Sequence, residues 1–101
     1  MNISVAINTF NRPEALSECL NSLSKQSKRD FEIVIVNGGE KLQVEAIANN
    51  FDLRIKIVQQ NKGDLVEARN LCWQESKGDI VCIIDDDLVT SNIWIEEIIK
   101  T

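Results

Sequence analysis

No histidine occurs anywhere in these 101 residues. Histidine-based triads, histidine general bases and histidine metal ligands are therefore excluded, and any acid–base or metal chemistry must use carboxylates, lysine or backbone. Cysteine is sparse: Cys19, Cys72 and Cys82 are odd in number and far apart, with no C-x-x-C spacing. Each lies within an apolar pattern, so the expectation is three reduced core thiols in a cytoplasmic protein. No apolar run approaches the ~20 residues of a membrane span. The start, MNISVAINTF, lacks the charged and long apolar regions of a signal peptide. Positive charge is also short. The formal net charge is -5, which argues against nucleic acid and anionic membranes as partners. The one basic run, Lys25 to Arg29, reads as a solvated helix end. Neither G-x-x-x-x-G-K-[ST] nor G-x-G-x-x-G is present, so the P-loop and dinucleotide fingerprints do not apply.

What is there alternates in period. ISVAIN (3–8) reads as a strand and NRPEALSECLNSLSKQ (11–26) as a helix, with Pro13 in its first turn and Leu16, Cys19, Leu20 and Leu23 on one face. FEIVIV (31–36) is a two-sided apolar strand closed by Asn37-Gly38-Gly39. A helix over 40–51 follows, with Val44, Ile47, Ala48 and Phe51 inward. RIKIVQ (54–59) alternates as an edge strand does, and Asn61-Lys62-Gly63 forms a loop. Asp64 and Glu67 are spaced as a capping box for the third helix, whose Leu65, Ala68 and Cys72 share a face and which Gly78 stops. DIVCIID (79–85) is a second two-sided strand, and SNIWIEEIIK (91–100) a last helix. The order β-α-β-α-β-α-β-α predicts a single α/β domain over 1–101 with a mostly parallel sheet and helices on both faces.

Ligands of such sheets bind beyond the carboxyl ends of the strands. The informative segments are then 9–12, 37–39, 60–63 and 85–87, brought to one rim. Asp85, Asp86 and Asp87 repel one another beside a low-dielectric sheet, and a divalent cation would relieve that repulsion. If the strand stays extended, Asp85 and Asp87 point the same way. Mg and Mn sites often use one or two carboxylates plus substrate phosphates. A solvated turn after a strand would carry the same residues. Likewise Asn37-Gly38-Gly39 allows close backbone approach of a ligand, or is a plain turn. Arg69, early in the third helix, would neutralise a diphosphate or hold an acidic residue, or form a surface ion pair.

Four segments in order and spacing carry a family resemblance: ISVAINTFNRPEALSECLNSLSKQ, FEIVIVNGGE, NKGDLVEARN, and KGDIVCIIDDDLV followed by WIEEI. Together they resemble the family 2 glycosyltransferases of the GT-A fold. The resemblance covers the front, nucleotide-sugar-binding half of that family's catalytic domain. It implies a three-layer, Rossmann-like sheet of four strands in the order 3-2-1-4, truncated after the fourth strand and its helix. It further implies that Thr9, Phe10 and Asn11 lie along the base and ribose, with Arg69 lining the same pocket. Asn37 and Gly38 fall in the nucleotide-binding loop. Asp85-Asp86-Asp87 stands as the D-x-D motif: Asp87 ligates Mg or Mn on the donor diphosphate, and Asp85 or Asp86 meets the ribose or the metal's water shell.

The chain departs from the family's pattern at two points. The base-reading carboxylate after the second strand falls at Gly38 and is missing. The acceptor site and catalytic base come from the half after the D-x-D motif, beyond residue 101, so little transfer is expected from residues 1–101 alone. The strand 79–85 would be left as an apolar edge, and such edges pair with other chains. Self-association through that edge or the last helix is the expected oligomer contact. The alternative function is a non-catalytic module of the same fold acting in self-association or partner binding. A receiver-like signalling domain fits less well, because its acids would be split between strands, whereas here all three share one.

Overall fold

The computed structural model describes residues 2–61 and 64–100. Four strands, β1 (Ile3–Thr9), β2 (Phe31–Asn37), β3 (Ile55–Gln59) and β4 (Ile80–Asp85), alternate with α1 (Pro13–Ser24), α2 (Lys41–Ala48), α3 (Leu65–Glu75) and α4 (Trp94–Lys100). All strand pairs are parallel, and the sheet order is β3-β2-β1-β4. The expected order is therefore observed. The central strands β1 and β2 are apolar on both sides because helices cover both. Ile3, Val5 and Ile7 meet Leu16, Leu20 and Leu23 of α1, Val44 of α2 and Ile95 of α4. Ala6, Val34 and Val36 face Ala68 and Cys72 of α3 on the other side. Three layers result.

Helix boundaries shift for local reasons. α1 starts at Pro13 and not at residue 11, because proline disfavours helical geometry at the residue before it. Arg12 is accordingly non-helical, and Asn11 is left-handed with φ of 50°. α4 starts at Trp94, three residues later than expected. The buried side chain of Gln26 sets that start: Oε1 accepts from Ile95 N, while Nε2 donates to Thr90 Oγ1 and Ser91 O. This amide ties the end of α1 to α4 and replaces an N-cap. Asp64 caps α3 as expected, accepting from Glu67 N at 2.7 Å.

Three expectations fail. The helix expected over 40–51 runs only over Lys41–Ala48, so Phe51 packs from beyond its end. Gly78 does not stop α3, which already ends at Glu75. It is a close-approach glycine instead: a Cβ there would lie 2.7 Å from Ser4 N. Leu65, expected inward with Ala68 and Cys72, is 58% exposed. It is the first residue of α3 and stands past the end of the sheet, at the rim.

Candidate functional site

The strand registers build the rim. Thr9 lies beside Asn37, Asn37 beside Gln59, and Asn8 beside Asp85. The carboxyl ends of all four strands thus finish in one row of polar residues. Side-chain alternation then divides them. Asn8 and Asp85 face the α3 side, and Thr9 faces the α1 side with the main core below it.

The acidic run does not stay extended. β4 ends at Asp85, and Asp86 and Asp87 form a turn in which Leu88 N donates to Asp85 O at 3.3 Å. Pleat alternation therefore no longer aligns Asp85 with Asp87, which corrects the expected geometry. The turn swings Asp86 inward. Its side chain is 5% exposed, accepts from Thr9 Oγ1 at 2.9 Å and pairs with Arg12 Nη1 at 3.2 Å. Asp87 stays 61% exposed, with its carboxylate 3.8 Å from Arg12 Nη2. One guanidinium thus spans two adjacent carboxylates. Beneath them sits Cys19, whose thiol is pushed up to about 11 by burial first and by the charges of Asp86 and Asp87 next. It stays protonated and unreactive at neutral pH.

The glycine loop is built from its own side chains. Asn37 is fully buried, with Oδ1 accepting from Gly39 N and Nδ2 facing Gly39 O, Glu40 O and Gln59 Oε1. Its side chain is spent on shaping the loop expected beside the nucleotide. Asn11 accepts from Glu40 N through Oδ1 and packs against Gly39, where a Cβ would lie 2.8 Å from Asn11 N. Gly38 donates to Thr9 O, and Gln60 and Phe10 close in on it: a Cβ there would lie 2.8 Å from Gln60 Oε1 and 3.0 Å from the Phe10 ring. The loop expected over 61–63 lies partly outside the described residues, at Lys62 and Gly63.

Three hollows meet at Asn8. One of about 180 Å³ lies between Phe10, Gln60, Asp64, Leu65 and Ala68. A second, about 390 Å³, is walled by Leu65, Arg69, Cys72, Trp73, Ile83 and Asp85. The third, about 330 Å³, is bounded by Thr9, Phe10, Arg12 and the three aspartates. Of the predicted residues, Thr9, Phe10, Arg69, Asp85, Asp86 and Asp87 border this chain of hollows. Asn8, Arg12 and Gln60 border it too; Arg12 and Gln60 fall within the segments expected at the rim without an individual role, and Asn8 falls outside them. Arg12 carried one usable signal: it is the sole cation in segment 9–12, facing three acids.

A cation would find hard oxygen donors here. Among the described residues no three carboxylates or thiols converge as a metal cage. Asp86 and Asp87 nonetheless both turn toward one position, now filled by a guanidinium. Two carboxylates completed by phosphate oxygens make a set suited to Mg or Mn.

A parallel 3-2-1-4 sheet between helix layers, with its acidic strand end beside a crevice, defines a Rossmann-like α/β domain of the GT-A type. The chain belongs to glycosyl transferase family 2, whose model matches residues 4–101. The uncharacterized glycosyltransferase YwdF of Bacillus subtilis (strain 168) is 38% identical over 89 residues, 86% of this chain and 33% of that protein. The crystal structure of Staphylococcus aureus TarS 1-349 in complex with UDP-GlcNAc superposes with a TM-score of 0.87 at 25% identity, covering 99% of this chain and 30% of that one. The mannosyltransferase PcManGT from Pyrobaculum calidifontis, in complex with GDP-Man and Mn2+, gives 0.71 at 26% identity over 84% of this chain and 27% of that one. The chain spans about a third of the length of the curated relatives it matches. Among the described residues, no helix is long and apolar enough to cross a membrane.

Proposed function

We propose that the rim is the donor site of a glycosyltransferase domain, binding a nucleoside diphosphate sugar with Mg or Mn for transfer of the sugar to an acceptor. The observation that carries this is the run of hollows from Phe10 through Asn8 to Asp87. It is apolar at one end and charged at the other, as a base linked to a diphosphate is. Phe10, with Leu65 and Ala68, lies along the base. Asn8, Asp85 and Arg69 meet the ribose and the nearer phosphate. Asp87, with Asp86 or Asp85, would hold the cation. Thr9 acts by holding Asp86, and Asn11 and Asn37 act by shaping the loop that carries Gly38. When bound, the cation supplies charge neutralisation for the departing nucleoside diphosphate. Arg12, displaced from the carboxylates, adds a second positive group beside the phosphates. The catalytic base and the acceptor site are assigned outside residues 1–101. The cytoplasm is the proposed location, supported by three unpaired thiols. A titration with UDP and Mg followed by backbone amide shifts tests the site. Shifts should cluster at Asn8, Phe10, Gln60, Arg69, Asp85 and Asp87; shifts on the α1–α2 surface, or none, would refute it.

A second reading is a non-catalytic module that self-associates through β4 or α4. It is favoured by the free edge of β4, which carries no charge before Asp85, and by Ile83, Trp73 and Ile99 at 38%, 61% and 39% exposure. Sedimentation showing a monomer at high concentration removes this reading.

A further inference from the structure

We infer that Arg12 makes the binding of the cation and of the nucleoside diphosphate interdependent: it closes the carboxylates to a bare cation and releases them when a diphosphate draws it away. The inference rests on the donor-site reading above and concerns the regulation of that site. The guanidinium stands where a cation would. Its Nη1 lies 3.2 Å from Asp86 Oδ1 and its Nη2 3.8 Å from Asp87 Oδ2, so one group takes an oxygen from each of two adjacent carboxylates. Asp86 has no slack, because its other oxygen accepts from Thr9 Oγ1 at 2.9 Å and its side chain is 5% exposed. A divalent cation at Asp86 Oδ1 would face a positive guanidinium at close range, beside a sheet of low dielectric. The cation therefore binds there only if Arg12 leaves.

The backbone of Arg12 is held on both sides. Asn11 before it is left-handed, with φ of 50°, and its Oδ1 accepts from Glu40 N at 3.0 Å. Pro13 after it keeps Arg12 out of helical geometry, and Arg12 O accepts from Leu16 N at 3.0 Å. What can move is the side chain. It is 53% exposed, and among the described residues its ion pairs are those to Asp86 and Asp87. Swinging into water would leave a buried carboxylate unpaired, so the metal-free site stays closed. A diphosphate in the hollow that Arg12 shares with Thr9, Phe10 and the aspartates changes the balance. Phosphate oxygens accept from both guanidinium nitrogens, and the carboxylates are then left for the cation. By linkage, each ligand raises the affinity of the other by the same factor.

The test starts with Mn alone, titrated into the full chain with free Mn counted by its electron paramagnetic resonance. Arg12→Gln should bind Mn about tenfold tighter than the unmodified chain. Lys25→Gln removes the same charge at the far end of α1, about 20 Å away along the helix and beyond the screening length. It should stay within about twofold of the unmodified chain. UDP is then titrated by calorimetry with and without Mn. UDP ligates Mn by itself, so the quantity compared between chains is the gain in UDP affinity that Mn brings. That gain should be about fivefold or more smaller in Arg12→Gln. Where Arg12→Gln fails to fold, Arg12→Lys serves: one ammonium cannot span both carboxylates, and Mn alone should again bind tighter than to the unmodified chain. Mn affinity unchanged in the Arg12 variants, or raised equally in Lys25→Gln, overturns the inference. A gain from Mn that is undiminished in Arg12→Gln overturns the coupling and leaves the donor site standing. No binding of UDP to any chain, with Mn still held tighter by Arg12→Gln, overturns the donor-site reading and keeps Arg12 as the competitor of the cation.

Discussion

Asp86 and Asp87 are neighbours in sequence with opposite duties, and replacing each by Asn should separate them. Asp86 is 5% exposed and bonded to Thr9 at 2.9 Å and Arg12 at 3.2 Å. Asn keeps its size and an oxygen for Thr9, but turns an NH2 group or a neutral oxygen toward the guanidinium. At an effective dielectric near 20 the lost ion pair is worth about 4–5 kcal/mol before desolvation. Arg12 is 53% exposed, and solvent screening with the desolvation cost of Asp86 leaves about 1–2 kcal/mol. For a domain of this size that lowers Tm by about 5–10 °C. Asp87, 61% exposed and 3.8 Å from Arg12, should cost no more than about 0.5 kcal/mol. Thermal unfolding followed by circular dichroism measures both. The Asp86→Asn deficit should persist in high salt because the carboxylate is buried. Equal destabilisation by the two substitutions, or a silent Asp86→Asn, would refute the division between an anchored and a free carboxylate.

Gly39→Ala should destabilise by about 2 kcal/mol, since its Cβ meets backbone at Asn11 N, whereas Gly38→Ala meets only side chains, the end of Gln60 and the ring edge of Phe10, and should cost about 0.5–1 kcal/mol; denaturant titration compares them. Cys19, raised by burial first from an ordinary 9.0 to about 11, should resist alkylation near neutral pH in the folded state. Because its folded value is the higher one, its contribution is present below pH about 9 and is lost as pH rises toward about 11; a stability–pH curve that is flat there contradicts this. Glu32 is held below the usual carboxylate range: burial alone would raise it, but bonds from Ser4 and Lys77 N outweigh that. Its contribution should be present at neutral pH and fall as pH drops through the acid range, and Glu32→Gln should flatten that fall.

Much of this fold was legible because the signals were local. FEIVIV is the covered strand its apolar run implied, while IVCIID lies at the sheet edge with Ile83 exposed; the alternation with amphipathic stretches pointed to a parallel sheet. The strand order 3-2-1-4 came from the resemblance, not from the periodicity. The rim was legible as a place, since parallel sheets gather their strand ends. Its wiring was not. Asp86 turns inward because of Thr9 and Arg12, more than seventy positions away in the chain, and no spacing rule within IIDDDLV encodes that. Asn37 looked available for a ligand and is instead consumed by its own loop. The vacancy at Gly38 suggested a lost base reader, yet the side chain that fills it arrives from the end of β3. Leu65 was placed inward by helical period, but the period cannot tell where the sheet beneath the helix stops.

The most direct measurement of the central claim is calorimetric titration of UDP and GDP into the chain with and without Mn, repeated on Asp87→Ala. Binding that requires Mn and is lost in Asp87→Ala, with the melting temperature of the variant unchanged, is the predicted result. Nucleotide binding that ignores both Mn and Asp87, or no binding under any condition, would contradict it.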